Sequence, residues 1–317
     1  LKRMPSVSTI SRQLSSMDEV AVKKLESLRS ELVLDRLALL DSARITLDFD
    51  GTVLGTKRHA EGTAIGFNKA KKGQRSYYPL YCTVAQTGQV LDVLHRSGNV
   101  HDSNGAEAFV LRCIDAVRSV RQHERTVIEV RMDSAFFSDQ MLSALEKANV
   151  RYTISVPFAR FTSLKDKIEQ RMDWQLIDCG VDRYCDAFEE HWRADSWSVD
   201  NGRRFLFVRQ FNAKQRKGPL QLDLFEPVDY DFDFKVIITN RKDALAKAVV
   251  CHEGRGSQEG IFAELKSENA LAYVPTKTWL GNRVFMSAVL IAHNLTRELE
   301  MLSKEPTRHS QDAKRAP

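Results

Sequence analysis

The segment "TVIEVRMDSAFFSDQMLSALEKANVRYTISVP", Thr126 to Pro157, decides the fold. "TVIEVRMD" is an apolar, β-branched run that ends at Asp133, which reads as a strand. "SDQMLSALEKAN" carries apolar residues at helical spacing, with Ser138 placed to cap it. "RYTISVP" reads as a second strand. A strand joined to a strand through a helix requires parallel pairing of the two.

Upstream, "ARITLDF" alternates and is predicted as a strand ending near Asp50. "YYPLYCTVAQTGQVLDVLHR" reads as a hairpin about Thr87-Gly88, and "GAEAFVLRCIDAVRSVRQ" as an amphipathic helix. The order is then strand, strand, strand, helix, strand, helix, strand. Three antiparallel strands followed by two crossovers give an α/β expectation, a ribonuclease H-like mixed sheet flanked by helices. Residues 15–40 contain neither Gly nor Pro and are expected to form one long helix before this core.

Downstream of Pro157 the pattern changes. Residues 158–235 hold three of the four tryptophans and short alternating runs such as "RRFLFVRQF". They are expected to form a β-rich insertion, after which "FKVIITN" brings the chain back. From Asp243 the pattern is helical: "ALAKAVV", "SQEGIFAELKS" and "TWLGNRVFMSAVLIAHNLTRELEML". The expected division is a helical segment over 1–42, the first part of the core over 43–157, the insertion over 158–235, the helical remainder of the core over 236–303, and a polar, disordered tail over 304–317.

The composition, 43% hydrophobic with a formal net charge of +5, is that of a globular protein and tilts the partner toward a polyanion. The longest apolar stretch, "VFMSAVLIAH" from Val284, is about half of what a membrane span needs, so no membrane partner is expected. The five cysteines form no Cys-x-x-Cys pair and are expected to be scattered reduced thiols of a cytoplasmic protein. The sequence opens at Leu1 rather than Met, and a preceding segment is expected.

The chemistry is expected in the acids. Asp50, in "TLDFDGTVLG", and Asp133 both stand where a strand runs out. Carboxylates converging at strand ends suit phosphoryl transfer with two Mg²⁺ ions roughly 3.5–4 Å apart. A third acid is offered by "CHEGRGSQEGIFAELKSENA". Arg255, Glu259 and Lys266 fall on one stripe if the helix reaches back past Gly256, whereas Glu264 points elsewhere. The bland readings are a solvated charged face for the stripe and a helix cap for Asp133 followed by Ser134.

Taken together, these pieces resemble bacterial insertion-sequence transposases of the cut-and-paste DDE type. That family carries Tyr-x2-Arg-x3-Glu-x6-Lys around its third acid. Here the positions read His252, Arg255, Glu259 and Lys266, with His in the place of Tyr. "LDFDGT" resembles the first-Asp block, with Thr52 two beyond Asp50. "VRMDSAFFS" resembles the second-Asp block, and "SYYPLYCTVAQTGQVLDVLHRSGNVHDSNG" the stretch between. The resemblance covers roughly residues 5–300. It implies a catalytic set of Asp50, Asp133 and Glu259 holding two Mg²⁺, with Mn²⁺ able to substitute. It implies cleavage at the element's ends to free a 3′-OH, and attack of that hydroxyl on target DNA. His252, Arg255 and Lys266 would contact DNA, the partners would be double-stranded element ends and target, and the assembly a homodimer on DNA in the cytoplasmic nucleoid. The family's N-terminal end-binding region is not recognised in this sequence.

Two rivals stand beside this reading. A haloacid dehalogenase-type phosphatase would use Asp48 as nucleophile and Asp50 as acid/base, with Asp133 and Asp139 as its second pair. It requires a helix soon after the motif, where a hairpin is predicted. A catalytically inactive DNA-binding protein derived from a transposase would keep only the contacts. Those are expected from two basic runs. "NKAKKGQR" brings Lys69, Lys71, Lys72 and Arg75, and "RQFNAKQRKGP" brings Arg209, Lys214, Arg216 and Lys217. Trp174, Trp192 and Trp197 are read as core residues, with base stacking as the functional alternative.

Overall fold

The structure is a computed structural model that describes residues 4–57, 59–66, 68, 71–101, 104–121, 126–180, 183–197, 202–211 and 232–303. In chain order its elements are α1 (Val7–Ser15), α2 (Glu19–Leu39), β1 (Arg44–Gly51), β2 (Leu54–Gly55), β3 (Ala64–Ile65), β4 (Arg75–Tyr77), β5 (Leu80–Val84), β6 (Val90–Leu94) and α3 (Ala106–Val120). Then come β7 (Val127–Met132), α4 (Asp139–Lys147), β8 (Arg151–Ser155), α5 (Thr162–Glu169), β9 (Gln175–Gly180), β10 (Arg183–Trp192), β11 (Arg203–Phe211) and β12 (Phe232–Thr239). The chain ends with α6 (Leu245–Glu253), α7 (Ser257–Ser267) and α8 (Trp279–Ser303). Two compact units result. The first holds the described residues of 1–128 and 256–309, and the second those of 129–255.

In the first unit β1 pairs antiparallel with β5, and β5 with β6, as the hairpin predicts. Its turn passes through Gly88 at φ +68°, a left-handed conformation that favours glycine. Along β1, Ile45, Leu47 and Phe49 share one side, and Phe49 meets Phe109 of α3 edge-on at 5.9 Å. Thr46, Asp48 and Asp50 share the other. Asp50 lies opposite Tyr81 in the register, and Tyr81 packs on Phe262 of α7 at 5.2 Å. That side of the sheet is therefore covered by α7 and α8, through a core that includes Leu265, Met286 and Leu290. Asn294 of α8 bonds both backbone groups of Val90, accepting from its N–H at 2.8 Å and donating to its carbonyl at 2.9 Å. A side chain thus occupies hydrogen-bonding groups of β6 that an edge strand leaves open.

The predicted long helix over 15–40 is α2, which starts at Glu19, and a shorter helix, α1, precedes it. Asp18 sets the start of α2, because its carboxylate accepts from the Ala21 N–H at 2.8 Å and caps the helix. The buried Arg29 of α2 pairs with Asp92 of β6, which Arg112 of α3 also grips at 2.8 Å. A small sheet, in the order β2, β4, β3, was not foreseen, since two- and three-residue strands carry no periodicity.

In the second unit β7 and β8 pair in parallel, Glu129–Met132 against Arg151–Ile154, joined by α4 as the opening segment predicts. Ser138 caps α4, accepting from the Met141 N–H at 3.1 Å. β12 returns antiparallel beside β8, and β11, β10 and β9 follow antiparallel in turn. The expected β-rich stretch thus extends the mixed sheet and contributes one helix, α5. Trp192 and Trp197 pack with Phe161 and Phe205, and Trp174 with Phe188 at 4.8 Å, so the core reading of the tryptophans holds. Cys82, Cys113 and Cys251 are buried thiols outside any disulfide, whereas Cys179 and Cys185 form a disulfide across the β9–β10 hairpin. That corrects the expectation of five reduced thiols: the hairpin sets Cys185 opposite Ile177 and so leaves Cys179 diagonal to it, with 6.6 Å between their Cα atoms. The tail, 304–317, lies outside the described residues.

Two buried histidines make stability pH-dependent. Burial lowers the His252 imidazole well below its ordinary value, helped by the cations Lys235, Arg255 and Arg131. Burial, with Arg283, pushes His95 down to about 3. Both rings are neutral when folded and bind a proton when unfolded below about pH 6.5. Stability is thus full above that pH and falls below it, by about 1.4 kcal/mol per pH unit for each ring. Urea midpoints at pH 7.5 and 5.5 check this, and an unchanged midpoint would refute it.

Candidate active site

The acids predicted for catalysis fall in both units. Asp50 ends β1 in the first unit, partly exposed, and its carboxylate accepts from the Gly51 N–H at 2.7 Å. Glu259 lies in the first turn of α7, also in the first unit, and is exposed. Asp133 follows β7 in the second unit, where its carboxylate accepts from the Ala135 N–H at 3.0 Å and caps a short 3₁₀ turn, Ser134–Phe136. The capping reading of Asp133 is therefore realised in the fold.

Two hydrogen bonds fasten α7, the helix that bears Glu259, along the end of β1 and the residue after it. Gln258 donates from its amide to the carbonyl of Asp48 at 3.1 Å. Lys266 donates to the hydroxyl of Thr52 at 2.5 Å. The helix rises about 12 Å between residues 258 and 266. The strand end advances about 13 Å between 48 and 52. The two spans match, so α7 runs alongside the end of β1 with both bonds made. Around Glu259 the surface is bare, because a Cβ at Gly256 or Gly260 would meet nothing within 4 Å. Burial lowers the Lys266 ammonium below the ordinary lysine range.

Sequence reasoning missed Gln258. The signal was present, because Gln258, Ile261, Phe262 and Leu265 form the buried stripe of α7, and a glutamine on an apolar stripe needs a partner inside. Asp48 is 1% exposed, packed within β1. Glu264 does point elsewhere, toward Arg297 and His293 of α8.

Other predicted residues have the following surroundings. Arg255 is not on the Glu259 stripe. It sits in a separate 3₁₀ turn, Gly254–Gly256, because the helical run breaks after Glu253. His252 is not presented to a ligand. It is 2% exposed, with its ring nitrogens 2.8 Å from the Ser155 hydroxyl and 3.1 Å from the Thr153 hydroxyl, so its hydrogen-bonding capacity is spent on β8. Arg75 bonds the hydroxyl and carbonyl of Thr63, fastening the β3–β4 pair. Arg209 pairs with Asp186 on the neighbouring strand at 2.9 Å. Lys71 and Lys72 are exposed, on a turn in which Asn68 accepts from the Lys71 N–H at 3.0 Å. Lys69, Lys214, Arg216 and Lys217 lie outside the described residues.

Among the described residues no group of three or more His, Cys, Asp or Glu side chains is arranged to hold a metal ion. The donors offered by Asp50, Asp133 and Glu259 are all carboxylate oxygens, the hard ligands that Mg²⁺ takes, and His252 is turned inside. By chemistry the set fits that cation. No described helix is long and apolar enough to cross a membrane.

The fold is a mixed α/β sheet whose first strand ends at one carboxylate, Asp50, with a helix bearing another, Glu259, fastened along it. The chain belongs to the family described as Transposase DDE domain group 1, whose model matches residues 2–314. Among solved structures it is similar to a piggyBac transposase synaptic complex with hairpin DNA, at 12% identity and a TM-score of 0.45, covering 97% of this chain and 65% of that one. It is also similar to a Mos1 transposase paired-end complex with the left transposon end, at 11% identity and a TM-score of 0.24, over 43% of each chain. A Mos1 mariner paired-end complex with Mn matches at 10% identity and a TM-score of 0.26, again over 43% of each. The chain thus spans less than two thirds of the length of these structures. No curated protein matches it.

Proposed function

We propose that the chain is a DNA transposase that cuts phosphodiester bonds at element ends and joins the freed 3′-OH to target DNA. The observation that supports this reading is the fastening of α7, the helix that bears Glu259, along the end of β1, the strand that carries Asp50. Asp133, from the block that resembles the family's second-Asp block, would be the third member. The three carboxylates would hold two Mg²⁺ ions, with Mn²⁺ as a substitute. Such ions, when bound, activate the attacking oxygen and stabilise the leaving one. The protein's own part is positioning. Lys266 and Arg255 would orient phosphates near Glu259, and the exposed Lys71 and Lys72 would take sequence-blind phosphate contacts. Arg75 and His252 are better explained by the internal bonds already described. Lys214, Arg216 and Lys217 stay in the reading as backbone contacts. The substrate is double-stranded DNA, the assembly a homodimer on paired ends, and the setting the cytoplasmic nucleoid. The expected sequence division into helical segment, core, insertion and tail belongs to the same reading.

The test is nicking of a labelled duplex carrying the element's terminal repeat, with Mg²⁺ and with EDTA, beside Asp50→Asn. Nicking that requires Mg²⁺ and is lost in Asp50→Asn supports the reading. Nicking that survives both sinks it. Binding of the duplex without cutting by the intact chain favours the inactive binder.

A further inference from the structure

We infer that Gln258 is a positioning residue for the third acid. Its amide bond to the Asp48 carbonyl fixes the rotation and height of α7, so that Glu259 faces the end of β1. The inference rests on the proposed role of Glu259.

Gln258 is fully buried, and its neighbour in sequence is exposed. Successive helical residues differ by about 100° in direction. Holding one inside the sheet-facing groove therefore sets where the other points. The bond reaches across 210 positions of sequence to a backbone atom two residues before Asp50. A backbone acceptor in a strand is a rigid reference, because the ladder fixes it. Asp48 is in register with Thr83 of β5, and Asp50 with Tyr81. The rest of the buried stripe, Ile261, Phe262 and Leu265, is apolar. Apolar contacts tolerate sliding and rotation, whereas a hydrogen bond is directional. At the far end of α7 the flexible Lys266 side chain reaches Thr52, and a four-carbon stem fixes register less tightly than an amide. The short tether therefore sits one residue from the acid, and the adaptable one two turns away.

The structural prediction for Gln258→Met is a folded protein whose acids bind metal more weakly. Groups that orient metal ligands affect affinity by about 10–100-fold when removed. The experiment measures Mn²⁺ binding by electron paramagnetic resonance without DNA, alongside thermal melting, for wild type, Gln258→Met and Glu259→Gln. Nicking is then titrated with Mg²⁺. The expected result is a Mn²⁺ dissociation constant about tenfold higher in Gln258→Met, with nicking restored at high Mg²⁺ and melting nearly unchanged. A general loss of structure would instead lower melting and would not be rescued by metal. If Gln258→Met binds Mn²⁺ like wild type while Glu259→Gln does not, the inference is overturned and the proposed function stands. If neither variant changes Mn²⁺ binding, Glu259 is no metal ligand, and both fall. Should Gln258→Met melt early, Gln258→Asn is read the same way, since its amide stops one methylene short of the carbonyl.

Discussion

Glu259→Gln abolishes metal-dependent nicking, lowering its rate by about a thousandfold or more, while leaving folding and DNA binding in EDTA as they are. The size follows from what the change removes. An amide keeps the shape of the side chain and loses the negative charge a hard cation binds. Charge stabilisation by such ions amounts to several kcal/mol, and each 1.36 kcal/mol is a factor of ten in rate. Stability is spared because Glu259 is exposed and the glycines beside it leave the surface open. A surface change of this kind stays within about 0.5 kcal/mol. The check is a single-turnover nicking assay run beside thermal melts and gel shifts. Near-normal nicking by Glu259→Gln would remove the third acid from the mechanism. Asp48→Asn serves as the control for the phosphatase alternative, which requires Asp48 as a nucleophile. Asp48 is 1% exposed, and the hairpin after β1 takes the place of the helix that chemistry needs. No turnover of a small phosphate ester is expected from either protein.

The second large effect is on stability and lies in the other unit. Glu129→Leu destabilises by about 3–5 kcal/mol, because it strips a buried guanidinium of a carboxylate partner. Arg241 and Glu129 pair with both side chains at 0% exposure. Arg241 also reaches Asp243 and the Cys251 sulfur, tying β7, the turn after β12, and α6 together. Desolvating such a pair offsets much of its attraction, so removing both charges costs far less than removing one. The double variant Glu129→Leu/Arg241→Met is therefore expected to recover most of the loss. Tryptophan fluorescence in urea reports this unit well, since Trp174, Trp192 and Trp197 belong to it and only Trp279 to the other. A single-variant loss below about 1 kcal/mol would show that the pair is dispensable.

The elements with long periodic patterns were legible in the sequence. α3, α4, α8, β1 and the β5–β6 hairpin stand where their apolar spacing places them, and the crossover over Thr126–Pro157 gives its parallel pair. Short strands were not, because β2, β3 and β4 have too few residues to alternate. The start of α2, four residues later than spacing places it, turned on the Asp18 carboxylate accepting a backbone N–H, a local competition that spacing does not register. The charged side chains were least legible of all. Arg75, Arg209 and His252 have the residue types of phosphate contacts, but each found partners inside. A charge pattern records how many ions a stretch carries, and not which of them neighbours will satisfy.

By itself, then, the sequence determined the order of the long strands and helices and the family, and it named the acids that the proposal uses. Those depend on periodicity and on spacing within short segments. The tertiary structure alone decided that α7 starts anew after a 3₁₀ turn, leaving Arg255 off its stripe, and that Gln258 holds the helix to the strand beneath Asp50. The second depends on a contact across 210 positions, where only the closed chain determines which donor meets which acceptor.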